Sequence, residues 1–340
     1  VSSASAALHL SCLALDLKEN DILWTVPNTF VASASCGLHC GAKIDFVDID
    51  ENTNNISTHE LEKKLKKAKK SRKLPKILIP VHFSGFPYEQ DKIFKLSKKY
   101  NFKIIEDASH ALGSKYKNIN VGSCKWSDMT VFSFHPVKPI TSGEGGVITT
   151  NSKECYEILS KLRTHGITKN LKELKKKINS KWYYEQQLLG FNYRMSEVHA
   201  AIGNQQMYKL RKFLKIRKRN FDFMSKSLKD LQNYFILKNL NKNIISSNYA
   251  LCLILNKKLF NKRTKIIKDL KNNGVGTSIY YPKPVPLLKY YKSKYGYRKS
   301  LFINASIVSE NSITLPVGPH ISKKLLSNIC SVLKKILKKY

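Results

Sequence analysis

Along the first half of the chain, short apolar runs alternate with segments whose apolar residues recur every three or four positions. The runs Ile22–Val26, Ile44–Val47, Ile77–Val81, Lys103–Glu106, Thr130–Phe134 and Val147–Thr150 predict short buried strands. Helical spacing falls on Ala6–Leu17, Phe30–Cys40, Thr58–Lys70, Gln90–Tyr100 and Ser152–Arg163. Strands and helices in this alternation predict an α/β fold with a mostly parallel central sheet flanked by helices. The stretch Lys169–Lys181 is polar and Lys-rich and predicts an exposed loop or a short helix. A long helix is expected from near Ser196 toward Lys229, with Glu197 in its first turn, where the helix dipole favours an acid. Strands at Ala250–Leu255 and Thr277–Tyr281 and helices at Lys262–Asn272 and Lys323–Lys338 predict a smaller C-terminal α+β domain. The division is a large domain over 1–207 and a small one over 208–340.

Composition changes this picture in one respect. Of 340 residues, 60 are Lys or Arg and 24 are Asp or Glu, a net charge of +36, which first suggests a nucleic-acid partner. The excess is unevenly placed. Residues 1–60 hold two Lys against eight acids, and residues 201–340 hold 30 basic residues against four acids. Only eight of the basic residues are Arg, whose planar fork suits phosphates and base edges better than Lys does. A solvated, Lys-rich surface is therefore the favoured reading, with no specific nucleic-acid partner. Hydrophobic residues make up 42%, enough for a real core. No run of eighteen apolar residues predicts a membrane span, and the start VSSASAALHLSCLALDL does not read as a signal peptide. Seven scattered cysteines show no CxxC pair and no metal-ligand spacing, as expected of a reducing cytoplasm. Cys36 and Cys40, one helical turn apart, read as packed thiols.

Two segments could carry chemistry. In KIIEDASH, residues 103–110, an apolar strand ends in Glu106–Asp107, and open α/β sheets place ligands at such strand ends. Strand alternation turns Glu106 to the opposite face from Asp107. In VFSFHPVKPITSGEGGVITT, residues 131–150, Lys138 sits among Pro136, Val137, Pro139 and Ile140. Such an apolar setting lowers a lysine pKa and suits it to imine chemistry. The GEGG turn that follows lets backbone approach a ligand closely.

Taken together, the segments resemble the DegT/DnrJ/EryC1/StrS family of pyridoxal 5′-phosphate (PLP) aminotransferases, of fold type I (aspartate aminotransferase-like). TVPNTFVASAS, GAKIDFVDID, IPVHFSG, IIEDASHALG, FSFHPVKPITSGEGG, RTHGI, YYEQQLLGFNYRMSEVHAAIGNQQ and SIYYPKPVPLL fall in that family's order over nearly the whole chain. HPVKPITSGEGG with WYYEQQLLGFNYRMSE most resembles the branch that aminates a UDP-linked sugar on the way to pseudaminic acid. The resemblance implies transfer of an amino group from L-glutamate to C4 of a UDP-linked 4-keto-6-deoxy-N-acetyl sugar, in a cytoplasmic homodimer with shared active sites. It implies that Lys138 holds PLP and moves the proton, and that Asp107 pairs with the pyridine nitrogen. Phe30 would stack on the ring, although its spacing also fits a core aromatic. Ala4, Ser5 and Ala6 at a helix start would bind the phosphate, with Ser5 also readable as the N-cap, and Ser133 would add a hydroxyl. His110 would lie on the ring-hydroxyl side or make a structural hydrogen bond. Asn192 would reach the phosphate from the neighbouring subunit. Arg194 would serve the nucleotide diphosphate or the dimer interface. His135, Tyr280 and Tyr281 would face the substrate, and His82 is read as structural. No metal is implied.

Two departures stand out. The chain begins almost inside the phosphate-binding motif and reads as lacking the family's preceding residues, and Pro286 stands where members often carry a His. Rival readings within the fold are another nucleotide-sugar aminotransferase, with a 3-amino or a dTDP- or GDP-linked product, and a PLP sugar dehydratase, whose relatives replace this Lys with His. Outside it are a polyanion-binding protein and a non-catalytic remnant.

Overall fold

Six strands build the central sheet: β1 (Ile22–Thr25), β2 (Lys43–Phe46), β3 (Ile77–Ile79), β4 (Lys103–Asp107), β5 (Met129–Ser133) and β6 (Gly146–Thr149). Their order is β2-β1-β3-β4-β5-β6. All neighbours pair in parallel except β5 and β6, which are antiparallel. The strands read as continuous apolar runs because a parallel sheet is covered on both faces; Leu23, Ile44, Ile77, Ile105 and Val131 are all buried. The computed structural model describes residues 1–174, 182–236 and 243–340. Residues 169–174 are irregular, with a turn at 171–173, and the rest of the stretch expected as a loop or short helix, 175–181, lies outside the described residues.

Five helices flank the sheet: α1 (Ala4–Ala14), α2 (Ala32–His39), α3 (Thr58–Lys70), α4 (Gln90–Tyr100) and α5 (Lys153–Leu162). Helix α3 shows how local chemistry sets an element. The Ser57 hydroxyl accepts from the Glu60 N–H, Glu60 lies in the first turn, and Lys67, Lys69 and Lys70 fill the last, all complementing the dipole. It buries only Leu61, Leu65 and Ala68, so its lysines, apart from half-buried Lys64, form a solvated face. Helix α1 is buried along most of its length, from Ala6 to Cys12, and is wedged between the sheet and its neighbours.

A second hydrophobic cluster gathers around a small antiparallel sheet of β7 (Phe235–Ile236), β8 (Leu251–Leu255) and β9 (Ser312–Leu315). It is packed by α6 (Glu197–Ser227), α7 (Arg263–Asn272) and α9 (Lys323–Leu337), whereas α8 (Ile303–Asn311) sends Ala305 and Val308 into the core of the large sheet. Residues 207 and 208 lie within α6, one continuous helix of 31 residues whose buried members, Arg217, Asn220, Phe221 and Met224, all fall in its C-terminal half.

The expected strand over Thr277–Tyr281 is not one. It makes a single bridge, Ser278 to Thr314, and then turns back toward the large sheet. There the Tyr281 N–H donates to Asn28 Oδ1 at 3.3 Å and the Val285 N–H to the Pro27 carbonyl at 2.8 Å. Pro282 and Pro284 lack the N–H groups a ladder needs, so the segment cannot continue as a strand. Helix α8 and strand β9 had no clear signature in the sequence, being short and buried rather than amphipathic.

Candidate active site

The C-terminal ends of β3, β4 and β5, the loop after β1 and the start of α1 converge on a cavity of about 330 Å³, at the small end of the range for small-molecule sites. Asp107, the last residue of β4, is 5% exposed and faces this cavity. Its Oδ2 accepts from the Ser33 hydroxyl at 2.6 Å, and its Oδ1 from the Ser109 hydroxyl at 2.6 Å and the Ser109 N–H at 3.1 Å. Three donors from two elements fix the carboxylate's direction.

Glu106, one residue earlier, lies on the other side of the strand. Tyr88 donates to its Oε1 at 2.8 Å and Thr130 to its Oε2 at 2.7 Å, Gln90 also donates, and His82 Nε2 lies 3.7 Å away. Burial pushes the Glu106 pKa up, but the His82 charge and these donors outweigh it and hold the carboxyl below its ordinary value. His82 is fully buried and stacks on Tyr88, ring centroids 4.7 Å apart. Glu106 and His82 therefore belong to a buried polar network outside the cavity.

Lys138 follows β5 in a turn closed by its N–H donating to the His135 carbonyl at 2.9 Å. Its Nζ lies 5.4 Å from the centroid of the Tyr249 ring. Burial lowers its pKa, and the Asp107 carboxylate partly opposes that shift. The amine is thus more readily unprotonated, and more nucleophilic, than a surface lysine. His110 stacks on the same ring, with centroids 4.0 Å from Tyr249 and 12° between planes. Burial, with the Lys138 charge second, holds its pKa well below the ordinary histidine range. Its Nδ1 is buried without a partner among the described residues.

Helix α1 enters the cavity by its N-terminus. Ser3 is the N-cap, and its hydroxyl accepts from the Ala6 N–H at 3.1 Å. This corrects two expectations: Ser5 is not the cap, and the Ala6 N–H is already used. Ala6 does not line the cavity, whereas Ala4 and Ser5 do, with first-turn N–H groups that precede any intrahelical acceptor. The GEGG turn borders the cavity through Glu144 and also has a role in packing. Gly146 pairs backbone to backbone with Val1, and a Cβ there would fall 2.6 Å from the Ser3 carbonyl carbon and 2.7 Å from the Ala4 nitrogen. The absent side chain lets helix α1 approach the strand.

Ser133, His135, Tyr280 and Tyr281 line the same cavity. So does Phe30, which at 57% exposure is no core aromatic. Burial raises the Tyr281 pKa, with the Asp107 charge next in effect. Asn192 and Arg194 are exposed and do not line the cavity; Asn192 bridges to Thr164. Sequence reasoning missed Ser33, Ser109, Glu144 and above all Tyr249. Ser33 and Ser109 sit inside motifs that drew attention for other residues. Tyr249 precedes a strand far along the chain, and nothing local marks it.

The donor set fits PLP. The orphaned His110 Nδ1, the oriented Asp107 carboxylate, the desolvated Lys138 amine and the open helix N-terminus offer partners for a hydroxylated pyridine aldehyde bearing a phosphate. With this fold, they define a class, the PLP-dependent aminotransferases of fold type I. The chain belongs to the DegT/DnrJ/EryC1/StrS aminotransferase family, whose pattern matches residues 1–334. It is 36% identical over 344 residues to the UDP-4-amino-4,6-dideoxy-N-acetyl-beta-L-altrosamine transaminase of Campylobacter jejuni, covering 100% of this chain and 86% of that one. Among solved structures it resembles PseC of Helicobacter pylori, an aminotransferase involved in the biosynthesis of pseudoaminic acid, with a TM-score of 0.89 and 28% identity over 100% of this chain and 86% of that one. The PLP form of the Streptococcus pneumoniae sugar aminotransferase Spr1654 superposes with a TM-score of 0.86 at 27% identity, covering 99% and 86%.

Proposed function

We propose that this enzyme moves the amino group of L-glutamate to C4 of a UDP-linked 4-keto-6-deoxy-N-acetyl sugar, in the biosynthesis of an amino sugar such as pseudaminic acid. The observation that carries the reading is the meeting of the Lys138 amine, the Asp107 carboxylate and the start of α1 in one cavity. Similarity to the Campylobacter transaminase supports the sugar class.

Bound PLP supplies an electron sink, a protonated pyridine ring that takes up the electron pair left at the donor's Cα. Asp107, held by Ser33 and Ser109, keeps the proton on the pyridine nitrogen. The N–H groups of Ala4 and Ser5 and the Ser133 hydroxyl bind the phosphate. Phe30 would stack on the ring, and His110 would lie on its hydroxyl side. Lys138 Nζ anchors the cofactor. Once the donor's amine has displaced it, the freed Nζ would take the proton from the donor's Cα, and water would release 2-oxoglutarate while the amino group stays with the cofactor. In the second half-reaction it would deliver a proton to C4 of the sugar and then, by re-forming its own bond to the cofactor, release the sugar as the amine. His135, Tyr280 and Tyr281 face the sugar.

The enzyme acts in the cytoplasm as a homodimer. The exposed apolar residues Trp182, Leu189, Val198 and Tyr208 cluster around Asn192 and Arg194 along one stretch of chain, as expected of a face that a second copy covers. Asn192 then serves the partner's phosphate site, and Arg194 the diphosphate or the interface. Among the described residues no helix is long and apolar enough to cross a membrane.

The test is the visible absorbance of the PLP-loaded protein. Adding L-glutamate is expected to bleach the band of the lysine-bound cofactor, and Lys138→Ala is expected to lack that band and all turnover. A band that persists unchanged in Lys138→Ala refutes the assignment.

A further inference from the structure

Next to the cofactor cavity lies a second one of about 420 Å³, sharing Tyr249 and Tyr280 with the first. Its wall holds Arg217, from α6, which is only 7% exposed. The structure gives this guanidinium one hydrogen bond, from Nη1 to the Tyr249 carbonyl at 3.0 Å. Its Nε is buried without a partner, and no carboxylate among the described residues lies within ion-pair distance of it. Residues 175–181 and 237–242 contain no Asp or Glu, so they supply none either. Two half-buried lysines elsewhere in the chain do have acids: Lys64 has Asp45 at 2.7 Å and Lys76 has Asp21 at 2.9 Å. A buried charge without a counter-charge is costly, and an Arg fork matches carboxylates and phosphates bidentately. Thr277, Ser278 and Thr314 add hydroxyls around it, and the Thr314 hydroxyl is itself buried without a partner.

We infer that this second cavity is an anion subsite, in which Arg217 pairs with a carboxylate or phosphate group of the molecule whose reacting end reaches Lys138. This rests on the proposed reaction, which offers two sources of that chemistry: the side-chain carboxylate of the amino donor and the diphosphate of the sugar nucleotide. Arg217 enters from the domain opposite Asp107, so an anion held there also spans the two cores.

The experiment is calorimetric titration of the PLP-loaded protein with glutarate and, separately, with inorganic pyrophosphate, at low and at 0.5 M salt. Screening removes binding to the basic surface and leaves the buried subsite largely intact. The wild type is expected to bind at least one probe at high salt. Arg217→Met is expected to weaken that probe at least tenfold, about 1.4 kcal/mol, and Arg217→Lys to restore part of it. Glutarate as the responding probe assigns the subsite to the donor carboxylate, and pyrophosphate assigns it to the nucleotide. Should Arg217→Met not fold, Ser278→Phe, which fills the cavity and leaves Arg217 in place, carries the same expectation. The inference is overturned if neither probe binds at high salt or if the variant binds both as tightly as the wild type. Failure of the aminotransferase reading shows separately, as absorbance that L-glutamate leaves unchanged.

Discussion

Gly146→Ala tests how the helix proposed to bind the phosphate is positioned. The new Cβ would fall 2.6 Å and 2.7 Å from two backbone atoms at Ser3 and Ala4, about 0.7 Å short of ordinary contact at 3.4 Å. Backbone cannot rotate away as a flexible side chain can, so the first turn of α1 must shift off β6. Overpacking of this kind costs about 1–3 kcal/mol. Removing glycine's freedom in the unfolded chain returns about 0.5–1 kcal/mol, so the net loss of stability is modest. Cofactor affinity is the sharper readout. A helix N-terminus contributes about 0.3–2 kcal/mol toward a bound anion, and only within its first turn. Displacing that turn is therefore expected to weaken PLP binding by about two- to thirtyfold. Equilibrium titration of the apoprotein with PLP, followed by absorbance, measures this directly, with thermal unfolding recorded on the same samples. A Gly146→Ala protein that binds PLP as tightly as the wild type would refute the claim that this glycine sets the phosphate site.

Three further expectations concern buried ionisable groups. Lys138 has its pKa lowered by burial in the cofactor-free fold, so the unfolded chain binds more protons and stability rises with pH toward the ordinary lysine value. Lys138→Met is then expected to stabilise the apoprotein at pH 7, with a gain that shrinks as pH approaches about 10.4; denaturant unfolding at two pH values checks both parts. His110, likewise depressed, gives up stability as pH falls below about 6.5, where the unfolded imidazole takes a proton and the folded one does not. His110→Phe keeps a ring against Tyr249 and is expected to flatten the acid limb of the stability curve relative to the wild type. Glu106→Gln replaces one accepting oxygen with an NH2 group, so at least one of the donors Tyr88, Thr130 and Gln90 loses its acceptor; it is expected to cost about 1–3 kcal/mol of stability while leaving the PLP absorbance band in place. A lost band in folded Glu106→Gln would put that network inside the site.

The sequence by itself determined the layered α/β core, because its strands are buried on both faces and their apolar runs are local facts. It also marked Asp107 and Lys138, since each sits at a strand end within a distinctive neighbourhood, and strand alternation correctly separated Asp107 from Glu106. Its charge pattern described the surface: the lysines of α3 other than Lys64 are solvated, and the site neighbourhood is nearly neutral. Tertiary structure alone decided the rest. Whether Thr277–Tyr281 would ladder depended on where Pro282 and Pro284 had to turn. That GEGG packs a helix besides bordering the cavity depended on the docking of α1 against β6. Tyr249 became a neighbour of Lys138, and Arg217 of Tyr249, only when β8 and α6 were packed beside the large sheet, more than a hundred residues downstream of Asp107. Local patterns report burial and turns, which each segment carries in itself. A cavity is made by segments that meet only after folding, so the groups that complete it leave no local trace.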